Sequence, residues 1–321
     1  MATCNDIETQ LQHCLLNTGL PTLNVDIDDP NPVAFIPHTK RTVCYIVCGL
    51  LINDQNEVLM MQEAKESCRG KWYLPAGRLE TNETLKEGAK REVLEETGLE
   101  FEPQTLLSVE TQCGTWYRFT FTGKVTGGKL KTLKEQDAES LQAKWYSVES
   151  IKEELPLRLK DILYLIEIGQ RYHNLDDKGR PPPCMPLITP HQKCLLRLFI
   201  VAVCSDREKV LVCSKDFPHL PVVVIYGRKD NLKYAVSRCL QVALNAGQNT
   251  PDIKVCGVLS VEHSGDLEAV NDGICLTVLY QMKAEPMTWK DYKWHSIENS
   301  DLRIQLRNKM REGSTVPLLM H

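Results

Sequence analysis

The chain has 321 residues, with 38 Lys and Arg against 42 Asp and Glu and a formal net charge of −4 at pH 7. This length exceeds the usual size of one small domain, so it predicts two domains with a core each. Binding to nucleic acid or to an anionic membrane relies on clustered Lys and Arg, and the near-neutral balance argues against both. We therefore expect a small-molecule partner, no nucleic acid and no membrane.

The cysteines and the apolar segments indicate the cellular compartment in which the protein resides. The 13 cysteines are odd in number, irregularly spaced and without a CxxC pair, which favours reduced thiols. The N-terminal stretch lacks the basic region and apolar run of a secretory signal. The apolar stretches at 43–52 and 195–204 are about half the roughly 20 residues that a membrane-spanning helix needs. A cytoplasmic location is expected, with the nucleus and the mitochondrial matrix left open.

The first half of the chain mixes strand and helix patterns. Residues 6–16 predict a short helix inside an N-terminal extension, 1–40, whose role the sequence does not indicate. Two strands flank a turn at 54–56, and a polar helix then runs from about Glu83 to Thr97, with Gly98 as its C-terminal stop. Further predicted elements are strands at Leu106–Thr111 and Trp116–Val125, a turn at 126–128 and a helix at Leu157–His173.

A stretch rich in charge, glycine and proline divides the chain. The segment DDKGRPPPCMP has the composition of a stiff linker. We therefore predict a first domain at 41–175, a Pro-rich linker at 176–193 and a second domain at 194–321.

The second half repeats the first in outline. The strand and turn patterns recur in the same order, and HLP stands where YLP stood. An offset of 147 residues places Leu232 on Leu85 and Arg238 on Arg91. Agreement of order, spacing and identities favours a duplication over a coincidental likeness of two α/β domains.

The residues most informative about chemistry lie between Gly77 and Leu99. Five residues separate Gly77 from Glu83, and seven more precede the run REVLEETGL. At about 100° per residue, Leu85, Ala89, Glu92 and Glu96 share one helical stripe, so the apolar stripe continues as carboxylates. Such acids are costly to hold close together and partly buried unless a divalent cation neutralises them.

This segment matches the pattern Gly-x5-Glu-x7-Arg-Glu-U-x-Glu-Glu-x-Gly-U, with U aliphatic, at every specified position, and so resembles the Nudix family. The resemblance implies an α/β (α+β) fold, an α/β/α sandwich with a mixed sheet, followed here by a degenerate Nudix-like domain. A solvated acidic helix is the alternative, but it explains neither Gly77 nor Arg91 nor the spacing.

The resemblance also implies roles for these residues. Glu92, Glu95 and Glu96 would bind Mg²⁺ or Mn²⁺ and activate water, with Glu92 a candidate base. Gly77 and the carbonyl of Ala76 belong to the loop that reaches the metal. Arg91 would hold the loop and the acids in place through Glu83, which like Gly98 is a structural position of the motif.

A further metal ligand and the substrate contacts are less well marked. Glu135 or Glu139 is a candidate ligand, although a solvated loop acid is the simpler interpretation of either. Leu59 and Met61 share one side of a strand and are candidates for a base pocket, with core packing the alternative. Asp161 stands about where related purine-specific enzymes present a side chain to the base, and a plain helix-start carboxylate is the alternative.

Matches beyond the motif, in VLMMQEAKESCRGKWYLPAGRLE, LLSVE and KEQDAESLQAKWY, resemble a vertebrate branch of the family that acts on 8-oxo-guanine nucleotides. This implies hydrolysis of oxidised purine nucleoside diphosphates, 8-oxo-dGDP and 8-oxo-GDP, to monophosphates plus phosphate. The alternatives are a nucleotide-sugar or dinucleotide pyrophosphatase, which shares the diphosphate chemistry, and a nucleotide-binding sensor without turnover, which the three acids disfavour.

The second half departs from the motif where the metal ligands would lie. At the same offset, the three acids of the first half are replaced by Cys239, Val242 and Ala243. That helix is expected to hold no metal. We interpret the second domain as structural, partner-binding or regulatory, with protein contacts as one possible role.

Overall fold

The computed structural model describes residues 6–20, 25–27, 35–176, 179–204, 207–245, 251–265 and 272–321. The helices are α1 (Ile7–Leu16), α2 (Leu85–Thr97), α3 (Val148–Glu153), α4 (Ile162–His173), α5 (Leu232–Leu244) and α6 (Ser300–Lys309). The first strands are β1 (Cys44–Gly49), β2 (Val58–Glu63), β3 (Trp72–Tyr73), β4 (Ala76–Arg78), β5 (Leu99–Cys113), β6 (Trp116–Gly128) and β7 (Ser140–Tyr146). The later strands are β8 (His191–Cys204), β9 (Arg207–Cys213), β10 (Val222–Val224), β11 (Lys254–Glu262), β12 (Asp272–Met282), β13 (Tyr292–Ser296) and β14 (Leu318–Met320).

The chain divides into two compact units. The unit that contains the Gly77–Leu99 motif comprises 44–110 and 117–184, and we call it the box unit. The companion unit comprises the described residues of 1–43, 111–116 and 185–321. These bounds differ from the sequence-based division into 1–40, 41–175, 176–193 and 194–321. Helix α1 contributes Leu11 to the same buried cluster as Phe199 and Leu306, so the N-terminal segment belongs to the companion core. Strand β8 begins at His191, inside the predicted linker.

The box unit places one helix against two sheets. One sheet has the order β5-β6-β1-β4, and the other has the order β3-β2-β7. Helix α2 contacts β1 and β4 from the first sheet and β2 and β7 from the second. This mixed α and β architecture confirms the predicted fold class.

Helix α2 has sequence signals at both ends. Thr84 accepts a hydrogen bond from the Glu87 amide while the Glu87 side chain accepts from Thr84, a capping box that starts the helix at Leu85 rather than at the predicted Glu83. Gly98 ends it with φ 74°, and a Cβ there would lie 2.2 Å from the carbonyl oxygen of Lys129. The predicted stop is confirmed.

Other sequence-based boundaries were wrong, and one helix was missed. Strand β6 continues through the predicted turn at 126–128, where the missing side chain of Gly128 lets its backbone approach Gly98, 2.3 Å from where a Cβ would lie. The helix predicted from Leu157 begins at Ile162, because Leu157 bridges to Trp72 in extended conformation. Helix α3, capped by Ser147, was not predicted.

The companion unit repeats this strand order. Its sheet joins β11-β12-β8, with β10 also paired to β8, and β9 pairs with β13 as β2 pairs with β7. Trp145 lies opposite Leu59 on the β7–β2 ladder, and Trp294 lies opposite Leu211 on the β13–β9 ladder. Helices α2 and α5 each have 13 residues. In the described part of the chain, no helix is long and apolar enough to cross a membrane.

Candidate active site

Strand β4 and helix α2 bring the motif residues together. Glu92 and Glu96 are buried, at 7% and 1% exposure. The Ala76 amide donates to Glu96 Oε2 at 2.8 Å. A Cβ on Gly77 would lie 2.2 Å from the carboxyl atoms of Glu92, so a residue with any side chain would displace that acid. This steric requirement explains the glycine of the motif.

The pKa values of the two buried acids are raised. Burial raises the pKa of Glu96 well above its usual value, and the charges of Glu92 and Glu63 raise it further against the hydrogen bond from Ala76. Burial also raises the pKa of Glu92, partly offset by Arg91 and increased by Glu95 and Glu139. A nearby divalent cation would favour both ionised forms.

Arg91 clamps the acids to the preceding loop. Its Nε and Nη2 donate to the two carboxylate oxygens of Glu83, each at 2.8 Å, and Nη2 also donates to the Arg78 carbonyl at 3.2 Å. Its Nη1 donates to Glu92 at 2.7 Å and to Glu95 at 3.0 Å. The contact with Glu83 that the resemblance implies is therefore present, and the hydrogen bonds that Arg91 donates to Glu83 raise the pKa of the guanidinium.

Glu92, Glu95 and Glu96 do not converge on one point. The Glu95 side chain is 45% exposed, whereas those of Glu92 and Glu96 face inward. In the part of the chain that the structure describes, groups of three potential ligands within 4.8 Å occur only in the companion unit: Asp26, Cys213 and His219, and His191, Glu262 and Cys275. Oxygen donors from Glu92 and Glu96, with the carbonyl of Ala76 nearby, still match the preference of Mg²⁺, which binds through one or two carboxylates and keeps several waters.

The two candidate loop acids differ in their surroundings. Glu135 caps its own short turn by accepting from the Thr132 amide at 2.9 Å, and that bond lowers its pKa. Glu139 is exposed, and its charge raises the pKa of Glu92. Of the two candidate loop acids, Glu139 is therefore the one whose charge affects Glu92.

Asp161 belongs to a buried hydrogen-bond network and makes no helix cap. It precedes α4 without a side-chain capping bond. Its Oδ2 accepts from the Tyr73 hydroxyl at 2.9 Å and from Arg118 Nη1 at 2.7 Å. Arg118 also donates to both oxygens of Glu110, at 2.5 and 2.7 Å. Burial disfavours the charged guanidinium, but the hydrogen bonds that Arg118 donates to Glu110 outweigh this effect, and the pKa of Arg118 is raised.

Strand β2 carries the two predicted pocket residues. Leu59 and Met61 are 0% and 1% exposed. The same alternation places Glu63 on their side, and sequence analysis missed it. Glu63 accepts from Arg158 Nη1 at 2.6 Å, and its Oε2 is buried with no hydrogen-bond partner among the described residues. Arg158 also lies over the Tyr73 ring, 5.3 Å from its centroid.

Signals for the missed residues were present in the sequence. Glu63 lies two residues after Met61 on the same strand, so the alternation of side chains puts it on the same face as Leu59 and Met61. A charged residue on such an apolar face is a signal for a functional site. Glu110 and Arg118 are symmetric about Gly114, between two predicted strands, so a hairpin there places them opposite each other. No local pattern links Arg158 or Tyr73 to the site.

The companion unit retains part of this arrangement. Arg238 of α5 donates to both oxygens of Asp230, at 2.9 and 2.8 Å, and to the Val224 carbonyl at 2.7 Å. It thus reproduces the clamp of Arg91. The positions of the acids are occupied by Cys239 and Ala243, both 0% exposed, and by Val242, which is 46% exposed.

A buried carboxylate that is bound by an arginine and packed against a strand glycine, next to a second buried carboxylate on the same helix, defines a site of the Nudix type. The family model described as NUDIX domain matches residues 44–166. The chain belongs to the Nudix hydrolase family, and it is therefore an enzyme of that class.

Similarity to individual relatives extends over both units. The chain is 39% identical over 304 residues to the human protein "8-oxo-dGDP phosphatase NUDT18", covering 91% of this chain and 90% of the relative. It is 35% identical to the zebrafish (Danio rerio) protein of the same name, covering 97% of each. A solved NUDIX hydrolase from Nitrosomonas europaea is 28% identical and covers 44% of this chain and 93% of that one, with a TM-score of 0.36.

Proposed function

We propose that this enzyme hydrolyses oxidised purine nucleoside diphosphates, such as 8-oxo-dGDP and 8-oxo-GDP, to monophosphates plus phosphate. The observation that carries the proposal is a pair of buried acids. Glu92 lies against Gly77 and accepts from Arg91, and Glu96 accepts from the Ala76 amide. Relatives aligned along nine tenths of their length are named for 8-oxo-dGDP, which supports this choice of substrate over nucleotide sugars and dinucleotides.

The residues present fit a divalent metal. Glu92, Glu95 and Glu96, with the Ala76 carbonyl, would hold Mg²⁺ or Mn²⁺. The ion supplies neutralisation of the phosphate oxygens and activation of water. Glu92 is our candidate for taking the water proton, because it is a buried carboxylate of the site and Arg91 Nη1 fixes its position at 2.7 Å. Arg91 positions Glu92 and Glu95 and binds the loop through Glu83.

The base of the nucleotide would lie toward Asp161, with Leu59 and Met61 as apolar lining. Tyr73 and Arg118 both donate hydrogen bonds to Oδ2 of the Asp161 carboxylate. Its side chain is 32% exposed, so part of it remains accessible to a ligand. The companion unit has no acids on α5, and we assign it a structural, partner-binding or regulatory role. Because the 11 cysteines with described side chains are free thiols, a cytoplasmic location remains our proposal.

A substrate panel tests the proposal. The full chain with Mg²⁺ is offered oxidised and normal nucleoside di- and triphosphates, ADP-ribose, nucleotide sugars and dinucleotides, and the products are separated by chromatography. We expect 8-oxo-dGDP and 8-oxo-GDP to give the highest kcat/KM, with inorganic phosphate as the second product. Fast turnover of ADP-ribose or a dinucleotide, with none of the oxidised diphosphates, would overturn the assignment.

A further inference from the structure

One pair of neighbouring strand positions has different chemistry in the two units. In the box unit, Met61 of β2 pairs with Tyr73 of β3. In the companion unit, Cys213 of β9 pairs with His219, the first residue of the HLP that corresponds to YLP in the first half. The amide of each of these two residues donates to the carbonyl of the other at 2.9 Å. Because such directly opposed residues point to the same face, a thiol and an imidazole lie side by side.

Asp26 completes a buried cluster with these two residues. Nε2 of His219 donates to Oδ1 of Asp26 at 2.8 Å, and the two side chains are 4% and 3% exposed. Cys213 is 1% exposed. One potential ligand atom from each of the three residues lies within 4.8 Å of the other two, and all three residues belong to the companion unit. Thiolate, imidazole and carboxylate are the groups with which proteins bind Zn²⁺.

Hydrogen bonds outside the cluster orient two of its members. Nδ1 of His219 lies 2.7 Å from the Phe217 carbonyl, which can only accept, so Nδ1 carries a proton and Nε2 is the ring atom left for a metal. Oδ2 of Asp26 accepts from the Val222 amide at 2.9 Å. Bonds of both kinds orient metal ligands in proteins. A His219–Asp26 ion pair alone is the simpler interpretation, but it gives no role to the thiol.

The charges around the cluster also suit a divalent cation. Zn²⁺ bound by one thiolate and one carboxylate forms a neutral group, which is less costly to bury than a net charge. Among the described residues, Asp26 forms an ion pair with His219 and with no Lys or Arg. The cluster of His191, Glu262 and Cys275 differs, because Arg197 donates to Glu262 at 2.5 Å and its positive charge would repel a metal ion.

The dimensions of the cluster fit Zn²⁺ after small side-chain shifts. Bond lengths of about 2.0–2.3 Å place the ligand atoms of a tetrahedral Zn²⁺ about 3.3–3.6 Å apart. The 2.8 Å separation of Nε2 and Oδ1 needs to open by about half an ångström, and the outer limit of 4.8 Å needs to close by about one. Rotation of the side chains is sufficient for shifts of this size.

We propose that Asp26, Cys213 and His219 bind Zn²⁺, with water in the fourth position. The hydrogen bond from His219 to Asp26 describes the metal-free chain, and Zn²⁺ takes the place of that proton and of the thiol proton of Cys213. The ion joins β9 to an N-terminal residue 193 positions from His219. This structural role goes beyond the proposed hydrolysis, and thiolate with imidazole selects Zn²⁺ over Mg²⁺ and Mn²⁺.

Co²⁺ tests the site, because a thiolate bound to Co²⁺ gives a charge-transfer absorption band that oxygen ligands do not give. The full chain is stripped with a chelator under reducing conditions and is then titrated with Co²⁺ and with Zn²⁺. We expect the wild type to show the band and Zn²⁺ to abolish it by displacement. Cys213→Ala should lack the band, and its Zn²⁺ affinity, measured against a chromophoric chelator, should fall about 10²-fold or more.

Further variants separate metal binding from packing. Asp26→Asn and His219→Gln keep the thiol and should each lower the Zn²⁺ affinity at least about tenfold. Cys184→Ala, which removes a buried cysteine of the box unit, is the matched control and should bind Zn²⁺ as the wild type does. Zn²⁺ should raise the Tm of the wild type and of Cys184→Ala, and it should leave the Tm of Cys213→Ala unchanged.

These measurements do not use hydrolysis, so they are independent of the proposed function. Absence of the thiolate band in the wild type, or the same band in Cys213→Ala, overturns the site. Equal Tm shifts in the wild type and Cys213→Ala place the ion elsewhere and also overturn it. If Cys213→Ala does not fold, Asp26→Asn and His219→Gln decide, and undiminished Zn²⁺ affinity in either folded variant rejects the proposed ligand set.

Discussion

Helices α2 and α5 show which parts of this site belong to the fold and which to the chemistry. Both have 13 residues and both carry an arginine that binds, through two hydrogen bonds, an acid eight positions earlier: Arg91 with Glu83 and Arg238 with Asp230. Only α2 adds buried acids. The clamp is therefore common to both helices, and the buried acids of α2 are the part to which we assign hydrolysis.

Buried acids in the two units also differ in the groups that offset the cost of burying their charge. In the companion unit, Glu262 accepts from His191 at 2.9 Å and from Arg197 at 2.5 Å, and these partners outweigh burial and lower its pKa. In the box unit, Glu96 has an amide donor, and its pKa is raised. Among the described residues no ion pair is formed by Glu96, which leaves room for a cation from solution.

The largest expected effect is on hydrolysis. Glu96→Gln or Glu92→Gln removes a carboxylate charge but keeps the side-chain shape, and we expect kcat to fall about 10²–10⁴-fold. The matched change on the other helix is Val242→Gln at the position of Glu95, and it should leave kcat unaltered. Steady-state kinetics with 8-oxo-dGDP measure both. Equal rates for Glu96→Gln and the wild type would show that the catalytic site does not depend on this acid of α2.

Breaking the two clamps should separate stability from activity. Arg91→Ala and Arg238→Ala each leave a largely buried acid without its cation and should each cost about 2–4 kcal/mol in the free energy of unfolding. Only Arg91→Ala should also lower kcat, about tenfold or more, because Arg91, unlike Arg238, contacts acids that we assign to metal binding. Urea denaturation and kinetics check this. A similar fall in kcat for Arg238→Ala would contradict the difference between the helices.

The raised pKa of Glu96 predicts a pH-dependent stability. The folded-state pKa lies above the unfolded value, so the stability contribution is fully present below about pH 4.5 and is lost as the pH rises through the folded pKa. In metal-free protein, Glu96→Gln should therefore be more stable than the wild type at pH 8. The gap should close as the pH falls toward 4.5, and added Mg²⁺ should stabilise only the wild type. A constant gap would show that Glu96 is not penalised by burial.

The smallest expected effect concerns a paired group in the companion unit. His219 donates to Asp26 at 2.8 Å, and although burial opposes the charge, this bond and others raise its pKa from 6.5 to about 10. The stability it contributes is present below pH 6.5 and is lost as the pH rises through about 10. His219→Asn should be less stable than the wild type at pH 6.5, and the deficit should shrink by pH 10. Asp26→Asn should show the same window, and a deficit independent of pH would contradict the pairing.

The motif residues were predictable because their spacing is local. A helical period places Glu92 and Glu96 on one stripe, and the structure buries both. The glycine at 77 and the contact between Arg91 and Glu83 followed from the family pattern. The interruption of the helix pattern at Leu157 was not predictable, because a bridge to Trp72, 85 residues earlier, holds that residue extended.

The surroundings of Asp161, our candidate contact to the base, were only partly predictable for the same physical reason. Asp161 was identified by its position, but its partners lie far away in sequence: Tyr73 is 88 residues earlier and Arg118 is 43 earlier. Arg158 and Glu63 are 95 residues apart. Contacts of this kind depend on which strands become neighbours, and hydrophobic periodicity carries no information about that choice.

Metal binding by the full chain tests the central claim most directly. Mn²⁺ is titrated into wild-type protein, into the double variant Glu92→Gln with Glu96→Gln, and into Glu102→Gln, an exposed acid of the same unit, and free Mn²⁺ is followed by electron paramagnetic resonance. We predict that the wild type and Glu102→Gln bind Mn²⁺ alike, whereas the double variant loses this binding. Undiminished binding by the double variant would contradict the account, because the metal would then lie away from the acids of α2.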